Sequence, residues 1–558
     1  MSQVQNRNIQ DKGASTQNYQ KLNAQEHQVD IDQHQDQQKE KLISSKESKF
    51  DQYLSNLNFK HHFILFYIFR LINCSLINNS WAADEYWQSA EVAHRNVFGY
   101  GNLTWEWQIE KPIRSPIVML MVQMLYSFLK IINLDTPNFV AYSPMLISAL
   151  IASIYDFYMI KLVQICLGKK FTLSCLIINQ TLWFNLIGMP RLLANSLETC
   201  LLVVSFYYYQ LSITNKNSSD EYISRVIVII NFVTKPTSVI PFIFIWPITL
   251  LTIQGNLKKK FNYLVLNIFT VILMIVFSIL LDSLYYQKFT WTAYNFFEFN
   301  IINKLSNLYG TQDPFFYLWA VIPKYYHAFL PLIFYGLFKY YQHVKKNQNS
   351  YFVIYSFFVL LALYSKIDHK EDRFILPCNI GLTVFVVTAY YYLPFPQIKK
   401  FLLTIFILVN IILFVYEGQN NQAAGFKVMN YLRNEGDKVK SIYMFTTCNQ
   451  TPFYCYLHRN IPMQYPECHA LERVKGEYDN LTLFKQPESF IIQKLNQHDP
   501  SHLIVLSYFL NIPQVNQIFK ERGYQEEYRQ FHERNVGIPI GEVYDQDLVV
   551  MSKKILKL

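Results

Sequence analysis

Charged residues are scarce in this sequence of 558 residues: Asp, Glu, Lys and Arg together make up 16% of it. Soluble proteins of this size ordinarily carry about a quarter charged residues. Cysteine is also sparse, with 8 residues. This number is too small for a disulfide-based scaffold at this length. The composition therefore argues against both a soluble multidomain protein and a small cysteine-rich fold.

Two kinds of cofactor motif are missing as well. The histidines are scattered and no CxxC or HExxH spacing occurs, so no metal site is predicted. No glycine-rich loop is present to cradle the phosphates of a nucleotide sugar. We therefore expect no cofactor.

The net charge of +10 comes from short basic clusters between apolar runs, notably Lys258–Lys260, Lys345–Lys346 and Lys399–Lys400. Clusters with this spacing are typical of the cytosolic loops of membrane proteins. They do not form the continuous basic face that binds nucleic acid.

Hydrophobic residues make up 51% of the sequence. Most of them lie in long apolar segments in the middle of the chain. A transmembrane helix needs roughly 20 such residues. The sequence predicts an α-helical polytopic membrane protein with about eleven spans, near residues 60–79, 115–133, 142–166, 171–188, 197–214, 224–252, 261–283, 319–342, 351–366, 374–394 and 401–417.

The basic clusters also predict the orientation of the spans. If Lys258–Lys260 is cytosolic, then residues 80–114, 284–318 and 367–373 form three polar loops on the lumenal side. The same counting puts Lys169–Lys170 on the lumenal side, which conflicts with the basic bias and points to a misplaced early hairpin.

The two ends of the chain differ from the middle. Residues 1–58 are rich in Gln, Asn, Ser and Lys, lack a signal peptide, and are predicted to be a disordered cytosolic tail. Residues 59–418 would form the membrane domain. Residues 419–558 contain apolar runs at 441–445 and 503–509, which predict a small lumenal α/β region.

The predicted lumenal segments also contain cysteines, in the tail, and glycosylation sequons, in the first loop and the tail. An oxidising lumen could pair two of Cys448, Cys455 and Cys468. The sequons begin at Asn102, Asn449 and Asn480, although such triplets are common by chance.

The first polar loop contains an acidic pair, Asp84 and Glu85, at the start of a segment with helical spacing over residues 83–97. A carboxylate at the edge of the membrane can serve as a general base. Alternatively, Asp84 caps the helix and favours its positive end.

Further along this loop, Glu106 lies between Trp105 and Trp107. The two tryptophans belong either to an interfacial aromatic belt or to a platform on which a sugar stacks.

The third polar loop carries Asp368, His369, Lys370, Glu371, Asp372 and Arg373 in a tight turn between apolar runs. Its cationic residues can hold a phosphate at the membrane surface. The alternative is ordinary solvated charge. Two further charges, Lys235 and Asp156, interrupt apolar stretches; such residues either face a polar cavity or pair within the bundle.

Several of these stretches resemble the dolichyl-phosphate-mannose-dependent mannosyltransferases of glycosyltransferase family 22. The resemblance covers residues 81 to about 470. It is carried in order by DEYWQSAEVAHRNVFGYGNLTWEW (84–107), IRSP (113–116, with Arg114), RLLANSLET (191–199), KPTS (235–238), NFFEFNI (295–301), SNLYG (306–310), HKEDRFILP (369–377) and CNQTPFYCYLH (448–458). Members usually have His-Pro where Ala82-Ala83 stand here, and arginine where Lys235 stands.

This resemblance implies a GT-C fold in the endoplasmic reticulum membrane, with a lumenal active site. The implied reaction is an inverting α-1,2 transfer of mannose from dolichyl phosphate mannose to the third-mannose position of the glycosylphosphatidylinositol (GPI) precursor. Asp84 would be the base and Glu85 would orient it. His369, Lys370 and Arg373 would bind the donor phosphate, supported by Glu371, Arg114, Trp105, Glu106 and Trp107.

Other interpretations stay open at this point. The same chemistry could act on the dolichol-linked N-glycan precursor or add the fourth GPI mannose. A transporter would show paired halves and charges at mid-membrane, for which Lys235 and Asp156 give slight support, but no internal repeat occurs. A membrane scaffold that binds partners through its tail is the third alternative.

Overall fold

The computed structural model describes residues 59–82, 84–253, 255–347, 350–466, 473–474, 476, 478–537 and 543–554. The predicted cytosolic tail, 1–58, lies outside these residues.

The membrane domain is a bundle of apolar helices. Its main helices are Phe59–Ser75, Ile117–Ile131, Pro144–Leu167, Thr172–Thr181, Trp183–Gly188, Ala194–Asn215, Ser218–Thr234, Ile240–Thr252, Leu257–Tyr286, Leu330–Asn347, Phe352–Lys366, Asn379–Tyr392 and Pro396–Gln419. Among the described residues, four segments are long and apolar enough by themselves to cross a membrane: Pro137–Leu167, Leu257–Tyr286, Asp372–Tyr392 and Pro396–Gln419. The other apolar helices are shorter.

Short helices form the loops that connect the bundle at one of its ends. They are Asp84–Trp87, Ala90–Phe98, Trp105–Gln108, Pro137–Tyr142, Thr292–Phe297 and Ile322–Tyr326, together with the tighter or wider turns Glu298–Ile302, Leu305–Tyr309 and Asp372–Cys378.

The predicted single span over residues 224–252 is wrong. The structure divides it into Ser218–Thr234 and Ile240–Thr252, with the turn Pro236–Val239 between them. Proline has no N–H to donate and disfavours a helical conformation in the residue before it. Lys235 accordingly has an extended backbone, with φ −157° and ψ 116°. The helix break therefore places the charged residue Lys235 between two apolar helices.

The predicted span over residues 115–133 is also not a crossing of the bundle. Helix Ile117–Ile131 packs along Ala90–Phe98 in the first loop, and Lys130 Nζ donates to the carbonyl oxygen of Val97 at 2.8 Å. The chain then reaches Tyr142, whose ring lies 5.9 Å from that of Tyr456 in the carboxyl-terminal region. Both ends of this helix therefore lie at the same end of the bundle.

This correction removes the conflict at Lys169–Lys170. Because Ile117–Ile131 does not cross, Pro144–Leu167 carries the chain to the opposite end of the bundle. There Lys170 Nζ lies 5.4 Å from the ring centre of Tyr391, and Lys399 Nζ lies 5.5 Å from the same ring. The two basic clusters, 169–170 and 399–400, consequently share one end.

Close helix contacts and a buried ion pair stabilise the bundle. A Cβ at Gly336 would lie 1.8 Å from the carbonyl oxygen of Phe385, so only glycine permits this approach of two helices. Arg70 binds Asp156 through two hydrogen bonds of 2.6 and 2.7 Å, and both side chains are fully buried. The mid-membrane charge of Asp156 is thus structural, and it gives no support to a transport pathway.

The carboxyl-terminal region contains a five-stranded sheet with the order β2-β1-β3-β5-β4. Strand β1 pairs in parallel with β2 and β3, whereas β5 is antiparallel to β3 and β4. The strands predicted at 441–445 and 503–509 are confirmed as β1 and β3, although a short helix replaces the end of the second. The strands are β1 Ile442–Phe445, β2 Met463–Gln464, β3 His502–Leu506, β4 Tyr524–Gly537 and β5 Val543–Lys553.

Helices surround this sheet, namely Ala424–Asn434, Tyr454–Leu457, Asp479–Lys485, Pro487–His498, Ser507–Leu510 and Pro513–Glu521. The chain that leaves β1 runs directly into the motif of residues 448–458. It thereby brings the carboxyl-terminal region against the loops of the bundle.

Candidate active site

A large cavity of about 1340 Å³ lies where the loops of the bundle meet the carboxyl-terminal region. The three polar loops that the sequence predicts to lie together all line it, through Asp84, Tyr309 and Arg373 among others. Asn449 lines it from the carboxyl-terminal region. The part of the wall around Lys235 is apolar, with Val233, Ile240 and Leu363, and is called the apolar end; Phe296 and Phe297 add apolar surface from the second loop. The cavity can thus accommodate a molecule with a polar head and an apolar chain.

Asp84 and the basic turn meet directly in this cavity. Arg373 Nη2 donates to Asp84 Oδ2 at 2.9 Å and to Glu371 Oε1 at 2.9 Å, and Arg373 Nε lies 2.8 Å from Glu371 Oε2. Its Nη1 makes no hydrogen bond with any residue that the structure describes. Arg373 therefore holds two carboxylates and keeps N–H donors for an anion.

His369 extends this cluster. Its Nδ1 lies 2.8 Å from the carbonyl oxygen of Gly310, which can only accept, so Nδ1 carries the proton. Its Nε2 lies 3.2 Å from Glu371 Oε1. Burial opposes a charged ring, but the bonds to Glu371 and Gly310 outweigh it and raise the pKa of His369.

Glu371 is the shared anion of this group. Burial raises the pKa of its carboxyl group, but Arg373 and His369 outweigh burial and hold the pKa at about 2. Glu371 thus stays ionised at neutral pH and holds both His369 and Arg373 in place.

Lys370 lies on the cavity wall but is engaged with the backbone. Its Nζ donates to the carbonyl oxygens of Gln312 at 3.0 Å and Ile367 at 2.5 Å. These two bonds fasten the second polar loop to the third. Lys370 therefore offers less of its donor capacity to a phosphate than the sequence led us to expect.

Glu106 and Arg114 form an ion pair on the opposite wall, next to Gln88, whose Nε2 lies 3.3 Å from Glu106 Oε1. Burial and the nearby Asp84 raise the pKa of Glu106, while Arg114 lowers it, and the net shift is upward. The pair sets the direction in which Gln88 points.

The flanking tryptophans have different surroundings. Trp105 stacks on Tyr309, with ring centres 6.4 Å apart and an interplanar angle of 7°. Trp107 is buried against Tyr285 and Tyr286. Both tryptophans line the cavity. Trp105 and Tyr309 together form a flat aromatic wall suited to the apolar face of a sugar.

Glu85 does not contact Asp84 and is not part of the cavity wall, contrary to the expectation that it orients the base directly. It is buried, and its Oε2 accepts hydrogen bonds from Arg191 Nη1 and the backbone N–H of Trp81, both at 3.2 Å. Arg191 in turn donates to the carbonyl oxygen of Ile187 at 2.8 Å. Since Glu85 follows Asp84 in the chain, this buried pair fixes the backbone that carries Asp84.

Lys235 lines the apolar end of the cavity, and its partner could not be recognised from the sequence. Its Nζ lies 3.0 Å from Glu198 Oε2, and Thr237 and Tyr364 both donate to Glu198 Oε1. Altogether the lining of the cavity includes three carboxylates and five cationic side chains. The cationic side chains are Arg114, Lys235, Lys370, Arg373 and Arg473. This excess suits an anionic ligand.

The first loop is joined to the motif of residues 448–458 by buried polar contacts. Trp87 Nε1 donates to the carbonyl oxygen of Thr451 at 2.9 Å, and the backbone N–H of Cys455 donates to Glu91 at 2.8 Å. His94 Nε2 lies 2.8 Å from His458 Nδ1. The motif of residues 448–458 was recognisable in the sequence. The residues of the first loop that it contacts were not, because their spacing shows nothing about this contact.

Burial changes the ionisation of the groups at this contact. It raises the pKa of Glu91 to about 7, against the hydrogen bonds from Cys455 and Asn102. It lowers the pKa of His94 to about 3, with a further contribution from His458. His94 is therefore neutral at physiological pH.

The cysteines and sequons of the tail have distinct positions. Cys448 is disulfide-bonded, whereas Cys455 is free and buried; Cys468 lies outside the described residues. The side-chain amide of Asn480 is buried and donates to the carbonyl oxygen of Thr446 at 3.1 Å. The hydrogen bond thus engages the amide nitrogen to which a glycan would be attached.

The chain is similar in sequence and in fold to known proteins. Residues 61–458 match the model of the Alg9-like mannosyltransferase family. Among solved structures, the chain is similar to ArnT from Cupriavidus metallidurans bound to undecaprenyl phosphate, with a TM-score of 0.55, 11% identity, and coverage of 88% of this chain and 97% of that one. The similarity to this solved structure shows a GT-C fold.

Curated relatives cover most of the chain. It is 30% identical to "Mannosyltransferase APTG1" of Arabidopsis thaliana, over 80% of this chain and 84% of the relative. It is 30% identical to "GPI mannosyltransferase 3" of Yarrowia lipolytica (82% and 90%) and 28% identical to "GPI alpha-1,2-mannosyltransferase 3" of Bos taurus (80% and 82%). The chain belongs to the Alg9-like mannosyltransferase family, and the protein is a membrane-bound mannosyltransferase.

Proposed function

We propose that this enzyme transfers mannose from dolichyl phosphate mannose to the third-mannose position of the GPI precursor, forming an α-1,2 linkage. The observation that carries the proposal is the meeting of Asp84 with Arg373 in one cavity that has an apolar end. The names of the relatives support the GPI precursor as acceptor over the N-glycan precursor or the fourth-mannose position.

The cluster supports an inverting single displacement. The acceptor hydroxyl attacks C1 of the mannose while its proton passes to Asp84. The bond between C1 and the phosphate oxygen breaks, and dolichyl phosphate leaves with the bonding electrons. The donor is β-linked, so one displacement gives the α product.

Arg373 is the main donor to the leaving phosphate in this proposal, because it retains unused N–H groups beside Asp84. His369 and Glu371 hold its guanidinium in place, and Lys235 adds positive charge toward the apolar end. Such preorganised charge stabilises the anion that develops in the transition state. Glu85, through Arg191, positions the backbone of Asp84.

The corrected helix order supports an orientation with the cavity in the lumen of the endoplasmic reticulum. Removing 115–133 and dividing 224–252 keeps the number of crossings at about eleven. Lys169–Lys170 and Lys399–Lys400 then lie together in the cytosol, in accord with the basic bias of cytosolic loops. The carboxyl-terminal sheet lies on the lumenal side.

Purified enzyme in detergent or liposomes, given dolichyl phosphate mannose that carries the label in its mannose, tests this function. Three acceptors are offered separately: the GPI precursor with two mannoses, the GPI precursor with three, and the dolichol-linked N-glycan precursor. We expect label only in the first, released by an α-1,2-specific mannosidase. Label only in the N-glycan precursor would overturn the proposal.

A further inference from the structure

Arg473 extends from the carboxyl-terminal region to the wall of the main cavity. Its guanidinium lies between two aromatic rings, 4.5 Å from the centre of Tyr309 and 4.9 Å from that of Tyr478. Its hydrogen bonds go to the carbonyl oxygen of Leu308 at 3.2 Å and, weakly, to Cys448 Sγ at 3.8 Å. Among the described residues, no carboxylate lies within ion-pair distance of it.

This isolation distinguishes Arg473 from the other arginines and the deep lysine of the cavity. Arg114 is paired with Glu106, Lys235 with Glu198, and Arg373 with both Asp84 and Glu371. A guanidinium stacked between aromatic faces keeps its orientation and its full charge. Arg473 is therefore prepared for an anion from outside the protein.

The surroundings of Arg473 are those of a sugar site. Tyr309 continues the aromatic wall to Trp105, and its ring centre lies 6.5 Å from that of His369 in the Arg373 cluster. Asn449 and Asn480 line the cavity on the carboxyl-terminal side. Aromatic faces and amide groups in this combination bind the apolar faces and hydroxyls of a carbohydrate.

We propose that Arg473, Tyr309 and Tyr478 form an acceptor subsite that binds a phosphodiester of the acceptor glycolipid. The inference rests on the proposed function, since it assigns the acceptor to the carboxyl-terminal side and the donor phosphate to Arg373. A phosphodiester suits the site because it presents oxygens that a guanidinium binds in a fixed geometry. Its source is either a phosphate branch on the acceptor's sugar chain or the phosphate next to its lipid.

Steady-state kinetics of Arg473→Ala test the subsite, with two acceptors that differ only in a phosphodiester on the sugar chain. Loss of a charged hydrogen bond raises the KM of the phosphorylated acceptor by about 10- to 100-fold, while the KM of dolichyl phosphate mannose stays at the wild-type value. Arg473→Lys keeps the charge but not the stacked, planar donor set, and is expected to recover the affinity only in part.

Arg522→Ala is the matched control, because Arg522 is an exposed arginine of the same region that bonds Asn496 and does not line the cavity. A larger effect of Arg473→Ala on the phosphorylated acceptor assigns the subsite to the sugar branch. An equal effect on both acceptors assigns it to the phosphate next to the lipid. If neither KM changes while wild-type enzyme transfers mannose, the subsite is refuted and the proposed function still stands.

Discussion

Arg373 donates a hydrogen bond to Asp84 across 2.9 Å, although the two residues lie 289 positions apart in the chain. One comes from the first polar loop and the other from the third, so the fold alone creates the pair. Its position in a cavity lined by both polar and apolar residues is the basis of the proposed reaction centre.

Replacing Arg373 by lysine should impair donor binding more than folding. Lysine keeps the charge but cannot bind Asp84, Glu371 and a phosphate with a planar set of donors. We expect the KM of dolichyl phosphate mannose to rise and kcat to fall, by about 10- to 100-fold in kcat/KM, in line with the loss of a charged hydrogen bond. Initial rates at varied donor concentration measure this. A wild-type donor KM in Arg373→Lys would place the phosphate elsewhere.

Lys235 contributes charge at the apolar end of the cavity. Lys235→Ala leaves Glu198 buried without its cationic partner, whereas Lys235→Arg keeps the pair. We therefore expect Lys235→Ala to raise the donor KM and to destabilise the protein by roughly 3 to 5 kcal/mol, and Lys235→Arg to retain most activity. Thermal unfolding and donor kinetics of the two variants separate these effects. Equal behaviour of the two would contradict a role for the positive charge.

Glu85 is expected to act through structure. Glu85→Gln removes the charge that balances Arg191, so Arg191 is left as an unneutralised buried cation. The predicted result is a lower melting temperature, with a loss of roughly 3 to 5 kcal/mol, and an unchanged shape of the dependence of kcat on pH. A change in the pH profile at unchanged stability would mean that Glu85 takes part in proton transfer.

Acid protonates His94 of the buried His94–His458 pair only in the unfolded chain, which destabilises the fold, whereas Glu91, with its pKa raised to about 7, takes up a proton in the folded protein and opposes that loss. The folded protein holds His94 neutral with its pKa lowered to about 3, while the unfolded chain protonates it near its ordinary value. Its contribution to stability is complete above pH 6.5 and decreases as the pH falls below that value. Between pH 7.5 and 5.5 the loss is about 1.4 kcal/mol for one site.

Thermal unfolding at those two pH values measures this loss. On the change from pH 7.5 to 5.5, His94→Gln should lose about 1.4 kcal/mol less stability than wild type, since glutamine does not titrate while Glu91 titrates in both proteins. Equal changes in the two proteins would show that His94 does not contribute to the acid sensitivity.

The sequence predicted the class of fold because its signals are local. The length of the apolar segments indicated the helices, and short apolar runs between polar stretches indicated β1 and β3. The exceptions at 115–133 and 224–252 arise from tertiary packing and from Pro236, respectively. An apolar helix of 15 residues that lies along another helix has the same composition as one that crosses. Only the contacts of Lys130 and Tyr142 distinguish the two.

The site was predicted unevenly for the same reason. Asp84 and Arg373 were recognisable because charges beside apolar runs are conspicuous, and the structure brings them together. The roles of Glu85 and Lys370 depend on which partners the fold supplies, namely Arg191 and two backbone carbonyls, and no spacing reveals these. Arg473 lies in a stretch without periodicity, so nothing in the sequence drew attention to it.

The rate of a single turnover by Asp84→Asn is the most direct test of Asp84 as the base. Enzyme saturated with dolichyl phosphate mannose is mixed with acceptor, and labelled product is followed over time. Asparagine fills the same space and can still accept a hydrogen bond from Arg373 but cannot take a proton. We predict a rate reduced by about 10²- to 10⁴-fold with donor binding retained, if Asp84 is the base. A single-turnover rate equal to that of wild type would contradict this role of Asp84.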